Sequence, residues 1–124
     1  MYICNLNKVL YSYGTSIKHL QHAYAQTGKV RTFAAQNPNA TGANLNKALD
    51  DKDYTVRRVA AQNPNASKAI LEKALSDTSY LVRASAARNR NATEANLNKA
   101  LDDEAEEVRI EAAQNRNATD ANLN

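Results

Sequence analysis

The chain has 124 residues, enough for one domain, with a net charge of +3, one cysteine, no tryptophan and one phenylalanine. A lone thiol, Cys4, excludes an internal disulfide framework and any multi-thiolate metal cluster. No apolar run approaches the roughly 18 residues of a membrane span, and the first residues, Met1 to Lys8, lack the apolar core of a signal peptide, so the reading is a soluble cytoplasmic protein.

Residues 1–28 read as an N-terminal helical cap. Ile3–Leu10 suggests a first helix; Ser16 can cap a second over Ile17–Gln26, whose Ile17, Leu20 and Tyr24 fall on one face. Tyr2, Tyr11, Tyr13 and Tyr24 lie in this segment, as expected of larger side chains closing one end of a stack. His19 and His22 stand three apart, a spacing that can share a metal ion. No third or fourth ligand is identifiable, so they read as ordinary helix positions and no metal is expected.

From residue 29 the chain repeats. A motif that reads Val-Arg-Arg-Val-Ala-Ala-Gln-Asn-Pro-Asn-Ala at Val56–Ala66 recurs from Val30, Val82 and Val108, always 26 residues apart. A fixed period in this range marks stacked units, each burying its apolar stripe against its neighbours, which suits a chain with few large apolar residues. Each period predicts two short helices. The first starts after Thr27, Asp53, Ser79 or Ala105, of which the first three can cap. It continues through the helix-favouring pairs Ala34-Ala35, Ala60-Ala61, Ala86-Ala87 and Ala112-Ala113. It stops at Asn37, Asn63, Asn89 and Asn115, where a left-handed C-terminal cap is expected. Thr41, Ser67, Thr93 and Thr119 then cap the second helix, whose Leu45, Ala48 and Leu49 and their equivalents form one apolar stripe. The fourth second helix is cut short at Asn124. That predicts either a longer chain or an end that stacks against another chain, such as a homodimer formed through this uncapped C-terminal end.

The run Leu49–Ala66 resembles the leucine-rich repeat variant family, and the pairs Asp51–Arg57, Asp77–Arg83 and Asp103–Arg109 resemble HEAT repeats. The resemblance covers residues 27–124. It implies an all-α, right-handed α-solenoid of 26-residue two-helix repeats, with one class of helix open to the 3₁₀ form and the Val-Arg helices lining the concave face. Some members of the variant family carry an iron–sulfur cluster; with Cys4 alone this chain is not expected to, and no cofactor is assigned.

Nothing in the chain points to an enzyme. There is no nucleophile–base constellation and no glycine-rich phosphate loop, and no histidine falls within the repeats. The Asp–Arg pairs recur in every copy and so read as a ladder, each Arg bridging an acid of its own repeat and one of the next. The asparagine columns read as partners for turn backbone along the stack. Columns that differ between copies are where a partner is expected. Lys29, Arg58, Gln62, Arg88, Arg90 and Arg116 are the candidate partner-binding residues, a basic edge. Residues 1–49 carry +5 and no acid, while residues 101–124 carry −5. A protein-interaction module, adaptor or inhibitor, is the expected function. The alternative is a nucleic-acid-binding solenoid using the basic edge, disfavoured because no aromatic stacking platform is evident on the same face.

Overall fold

The computed structural model describes residues 28–123. Among these the chain is all-helical, with eight α-helices and no strand. Four nine-residue helices, α1 (Gly28–Gln36), α3 (Tyr54–Gln62), α5 (Tyr80–Arg88) and α7 (Glu106–Gln114), alternate with the shorter α2 (Gly42–Ala48), α4 (Lys68–Ala74), α6 (Glu94–Leu101) and α8 (Asp120–Leu123). The cap expected over residues 1–28 lies, apart from Gly28, outside the described residues.

The helix starts follow from local chemistry. The side chains of Asp53 and Ser79 accept the N–H groups of Thr55 and Leu81, while Ala105 offers nothing to the start of α7. In the short helices Thr41, Ser67 and Thr93 cap by the same device. At Thr41–Asn44 and Thr93–Asn96 the bond is reciprocal: the third helical residue returns a side-chain acceptor to the cap N–H, with asparagine where glutamate or glutamine is usual. The short helices are α-helical and not 3₁₀. Three-residue bonds are confined to their ends, as from the Asp50 N–H to the Lys47 carbonyl and the Asp51 N–H to the Ala48 carbonyl, where the last orphan carbonyls tighten the turn.

The long helices pack in chain order, α1 on α3, α3 on α5 and α5 on α7. The short ones form a second row, α2 on α4, α4 on α6 and α6 on α8. Between the rows Val56, Val82 and Val108 meet Leu45, Leu71 and Leu97, all fully buried. Each such side chain contributes about 1.5–3 kcal/mol on burial. Ala60, Ala61, Ala86 and Ala87 are sealed completely, so the neighbouring helices approach onto methyl groups alone.

The asparagines bind successive repeats together through turn backbone, as expected, but with a different cap conformation. Asn63, Asn89 and Asn115 end the long helices in extended conformation, at φ of −65°, −62° and −66°, not in the left-handed region. This conformation turns each side chain back onto the preceding repeat. The Asn63 Nδ2 donates to the carbonyls of Ala35 (2.8 Å) and Asn37 (3.0 Å), and its Oδ1 accepts the Asn65 N–H (2.8 Å). The Asn65 Nδ2 donates to the Pro38 carbonyl (2.6 Å) and the Ala40 carbonyl (3.0 Å). The same bonds recur one repeat on from Asn89 and Asn91, and again from Asn115 and Asn117.

Two outcomes follow, both read from chemical denaturation. Asn89→Ala leaves the buried Ala61 carbonyl without its Asn89 donor and the Asn63 carbonyl with the Ala66 N–H alone, and is expected to cost about 1–3 kcal/mol, more than Asn91→Ala at its exposed position. Ala105→Ser supplies the missing cap of α7 and is expected to add about 0.5–2 kcal/mol. Equal losses from the two asparagine variants would contradict the burial argument.

Candidate functional site

The charged side chains divide into a tied set and an untied one. In the tied set, the Nε of Arg31, Arg57 and Arg83 meets the carboxylates of Asp51 (2.6 Å), Asp77 (2.8 Å) and Asp103 (2.8 Å), with both partners mostly shielded from solvent. Each arginine thus pairs with the acid twenty residues later. From the acid six residues earlier it takes a backbone carbonyl, not the expected carboxylate: Arg57 Nη1 donates to the Asp51 carbonyl and Arg83 Nη1 to that of Asp77, both at 2.8 Å. The reason is that the earlier carboxylate is already engaged, Asp51 Oδ1 accepting the Asp53 N–H and Asp77 Oδ1 that of Ser79. At Asp103 burial favours the neutral acid. The Arg83 hydrogen bond, the Ala105 N–H and the charges of Arg83 and Arg109 outweigh it and hold the carboxyl below its ordinary value of 3.8.

The candidate residues belong mostly to the untied set. On each long helix, residues four apart form a ridge. These ridges are Tyr54–Arg58–Gln62, Tyr80–Ala84–Arg88 and Glu106–Ile110–Gln114, and they run toward the turn residues Pro64, Arg90 and Arg116. Between the last two repeats an open cavity of about 300 Å³ is lined by Arg88, Arg90, Glu111, Gln114, Asn115 and Arg116. Three of the predicted arginines therefore converge on one place. Arg88, Arg90 and Arg116 are exposed, and none has a side-chain ion pair or hydrogen bond among the described residues. With Glu111 the cavity holds three guanidiniums against one carboxylate.

The remaining candidates lie elsewhere. Lys29 is exposed near the start of α1 and Arg58 on α3, outside the cavity. Gln62 is exposed but its Nε2 reaches the Ser85 Oγ at 3.2 Å, so it bridges α3 to α5. Arg88 and Glu111 hold the same relative positions one repeat on, without a bond. Column variation points to the arginines and covers Gln114, which shares a column with Gln62 and Arg88; Glu111 is not among the candidates, although its column, Phe33, Val59, Ser85 and Glu111, also differs in every copy. The candidates also omit two aromatics: Tyr54 and Tyr80 are 46% and 43% exposed at equivalent positions of adjacent helices. Tyr54 stands four residues before Arg58, and that spacing was the available signal. The face therefore does carry aromatics, in a row about 12 Å along the helix from the Arg88 position.

Among the described residues no group of three or more His, Cys, Asp and Glu side chains is placed to hold a metal ion, and no helix is long and apolar enough to cross a membrane. Cys4, His19 and His22 lie outside them. On α7 Ala113 is exposed, whereas its equivalents Ala35, Ala61 and Ala87 are buried; Leu123 is 53% exposed, whereas Leu97 is sealed. Set against known protein families, characterised proteins and solved structures, the chain matches none.

The lowered pKa of Asp103 makes it a contributor to stability that acid removes. Its contribution to stability is present above the ordinary carboxylate value and is lost as pH falls through the lower folded value. Wild type is therefore expected to lose stability on acidification below about pH 4, and Asp103→Asn to start less stable and lose less over that interval. Thermal melts across that pH range check it; an identical acid slope in the variant would remove Asp103 as a contributor.

Proposed function

We propose that this chain is a non-enzymatic protein-interaction module. In this reading it is a right-handed α-solenoid of 26-residue two-helix repeats, similar to the leucine-rich repeat variant and HEAT-like families, and acts in the cytoplasm. It binds an acidic segment of a partner protein along the face of the long helices, at the guanidiniums of Arg88, Arg90 and Arg116.

The observation that carries the reading is the division of the arginines. Those recurring in every described repeat step, Arg31, Arg57 and Arg83, are paired to carboxylates inside the stack. Arg88, Arg90 and Arg116 differ from their equivalents Gln62 and Pro64, line one open cavity and have no side-chain partner among the described residues. Exposed cations without a structural role favour association with an acidic surface and speed its encounter. Bonds recurring at the 26-residue spacing, such as those from Asn63, Asn89 and Asn115, support the solenoid part of the reading. Tyr54 and Tyr80 give the nucleic-acid reading an observation in its favour. They stand in a row apart from the guanidiniums, however, and do not alternate with them as a stacking platform would.

Fluorescence anisotropy with a labelled polyglutamate peptide and with single-stranded DNA tests the reading. The peptide is expected to bind and to weaken as salt rises. Joint replacement Arg88→Glu, Arg90→Glu and Arg116→Glu is expected to weaken it about tenfold or more, equivalent to about 1.4 kcal/mol. DNA bound by the wild type with no binding of the peptide would replace this reading with the nucleic-acid one.

A further inference from the structure

We infer that the guanidinium row selects an acidic segment by spacing: one carboxylate for each repeat, three residues apart, on a chain in polyproline-II conformation. This rests on the reading that the row binds an acidic segment, and adds the register and conformation of that segment.

The pitch of the site comes from the fold. Arg90 and Arg116 occupy the same position in successive repeats, each two residues beyond its long helix, α5 or α7. These two helices pack directly on each other, which places their axes about 8–10 Å apart. Their turns are held at that offset, because the Asn117 Nδ2 donates to the Arg90 carbonyl (2.6 Å) and the Ala92 carbonyl (3.0 Å). The two guanidiniums therefore spring from anchors with a fixed separation, while the side chains themselves stand unpaired.

A ligand crossing the row must present acidic groups at that pitch and on one side. An extended β-strand returns to the same side every second residue, about 6.6 Å, and again only at about 13 Å. Neither matches. An α-helix returns near the same side after seven residues, about 10.5 Å, but it satisfies its own backbone hydrogen bonds and so leaves no backbone group for the cavity's polar side chains to meet. A polyproline-II chain repeats every third residue with a rise of about 3.1 Å per residue, giving about 9.3 Å between side chains on one side. It is the slim conformation whose period equals the repeat pitch.

Two other cavity residues fit the same ligand. Polyproline-II backbone makes no internal hydrogen bonds, so its carbonyl and N–H groups need outside partners. Gln114 lines the cavity with an exposed amide that has no bond within the chain, and offers both a donor and an acceptor. Glu111 lines it as well, and its charge acts against a ligand with an acid at every position. Glutamates separated by two neutral residues place charge on the arginines and keep it from Glu111.

The test uses two labelled peptides of equal length and composition. In one a glutamate occurs at every third position between prolines; in the other the same glutamates are contiguous. Anisotropy titrations of the full chain are expected to give about fivefold tighter binding for the spaced peptide. Arg116→Ala, at an exposed turn position, is expected to leave the far-ultraviolet circular dichroism unchanged and to erase the preference between the peptides. Equal binding of the two by wild type would overturn the spacing inference and leave the acidic-segment reading standing. Failure of both peptides to bind at low salt would overturn both. A preference that persists in Arg116→Ala would also count against the register, because one anchor of the pitch would then be dispensable.

Discussion

The rest of the structure depends on the asparagine amide that crosses from one repeat to the one before. A helix ends with carbonyls that have no partner within it, and here those ends lie in the interior of a stack. Each Asn63 or Asn89 side chain supplies two donors to the carbonyls behind it and one acceptor to the N–H two residues ahead. Because both side-chain termini are used, the residue fixes its own turn and the offset of its repeat from the previous one at once. Glutamine is a methylene too long for this arrangement, and aspartate lacks the donors.

Near the other end of each long helix the arginine–aspartate bonds perform the matching task. Arg57 and Arg83 each clamp the loop before their own helix through a carbonyl and the loop of the next repeat through a carboxylate. A long helix is thereby tied at its start by arginine and at its end by asparagine, with alanine methyls closing the distance between. Positions taking no part in these ties are free to vary, even where, as at Gln62, one copy makes a bond of its own to Ser85. That is why glutamine at 62 can become arginine at 88, and proline at 64 arginine at 90, while the same fold persists. The cavity at Arg88, Arg90 and Arg116 lies where such released positions from two repeats meet.

What the sequence disclosed follows the same division between local and non-local causes. Helix bounds and caps were legible because they are decided within a few residues: Asp53 and Ser79 cap, and Ala105 does not. The conformation of Asn63 was not legible, since a left-handed cap and an extended one differ in which distant carbonyls the amide meets. The carboxylate partner of Arg57, Asp77 of the next repeat, was legible from the recurring pairs, whereas its use of the Asp51 carbonyl and not the carboxylate was not, because that carboxylate is taken by the Asp53 N–H. The arginine columns could be found by comparing copies. So could Gln114, in the column of Gln62 and Arg88, and Glu111, in a column that differs in every copy; what comparison could not show is that they share one cavity with Arg88, which exists only once α5 and α7 are stacked.

The distribution of charge along the stack bears on which kind of polyanion suits the long-helix face. Described residues up to position 49 hold Lys29, Arg31 and Lys47 and no acid, whereas α7 carries Glu106, Glu107 and Glu111. A uniformly charged chain laid across all the long helices would gain at α1, α3 and α5 and meet repulsion at α7, so extending it adds little affinity. Nucleic acid has this uniform character, with a phosphate at every residue and no means of omitting charge where Glu111 stands. A peptide can omit it. In the proposed reading, the feature that weakens the cavity as a general anion site, one carboxylate among three guanidiniums, is the feature that would make it discriminating, because a ligand would gain by placing its acids at the arginines and away from Glu111.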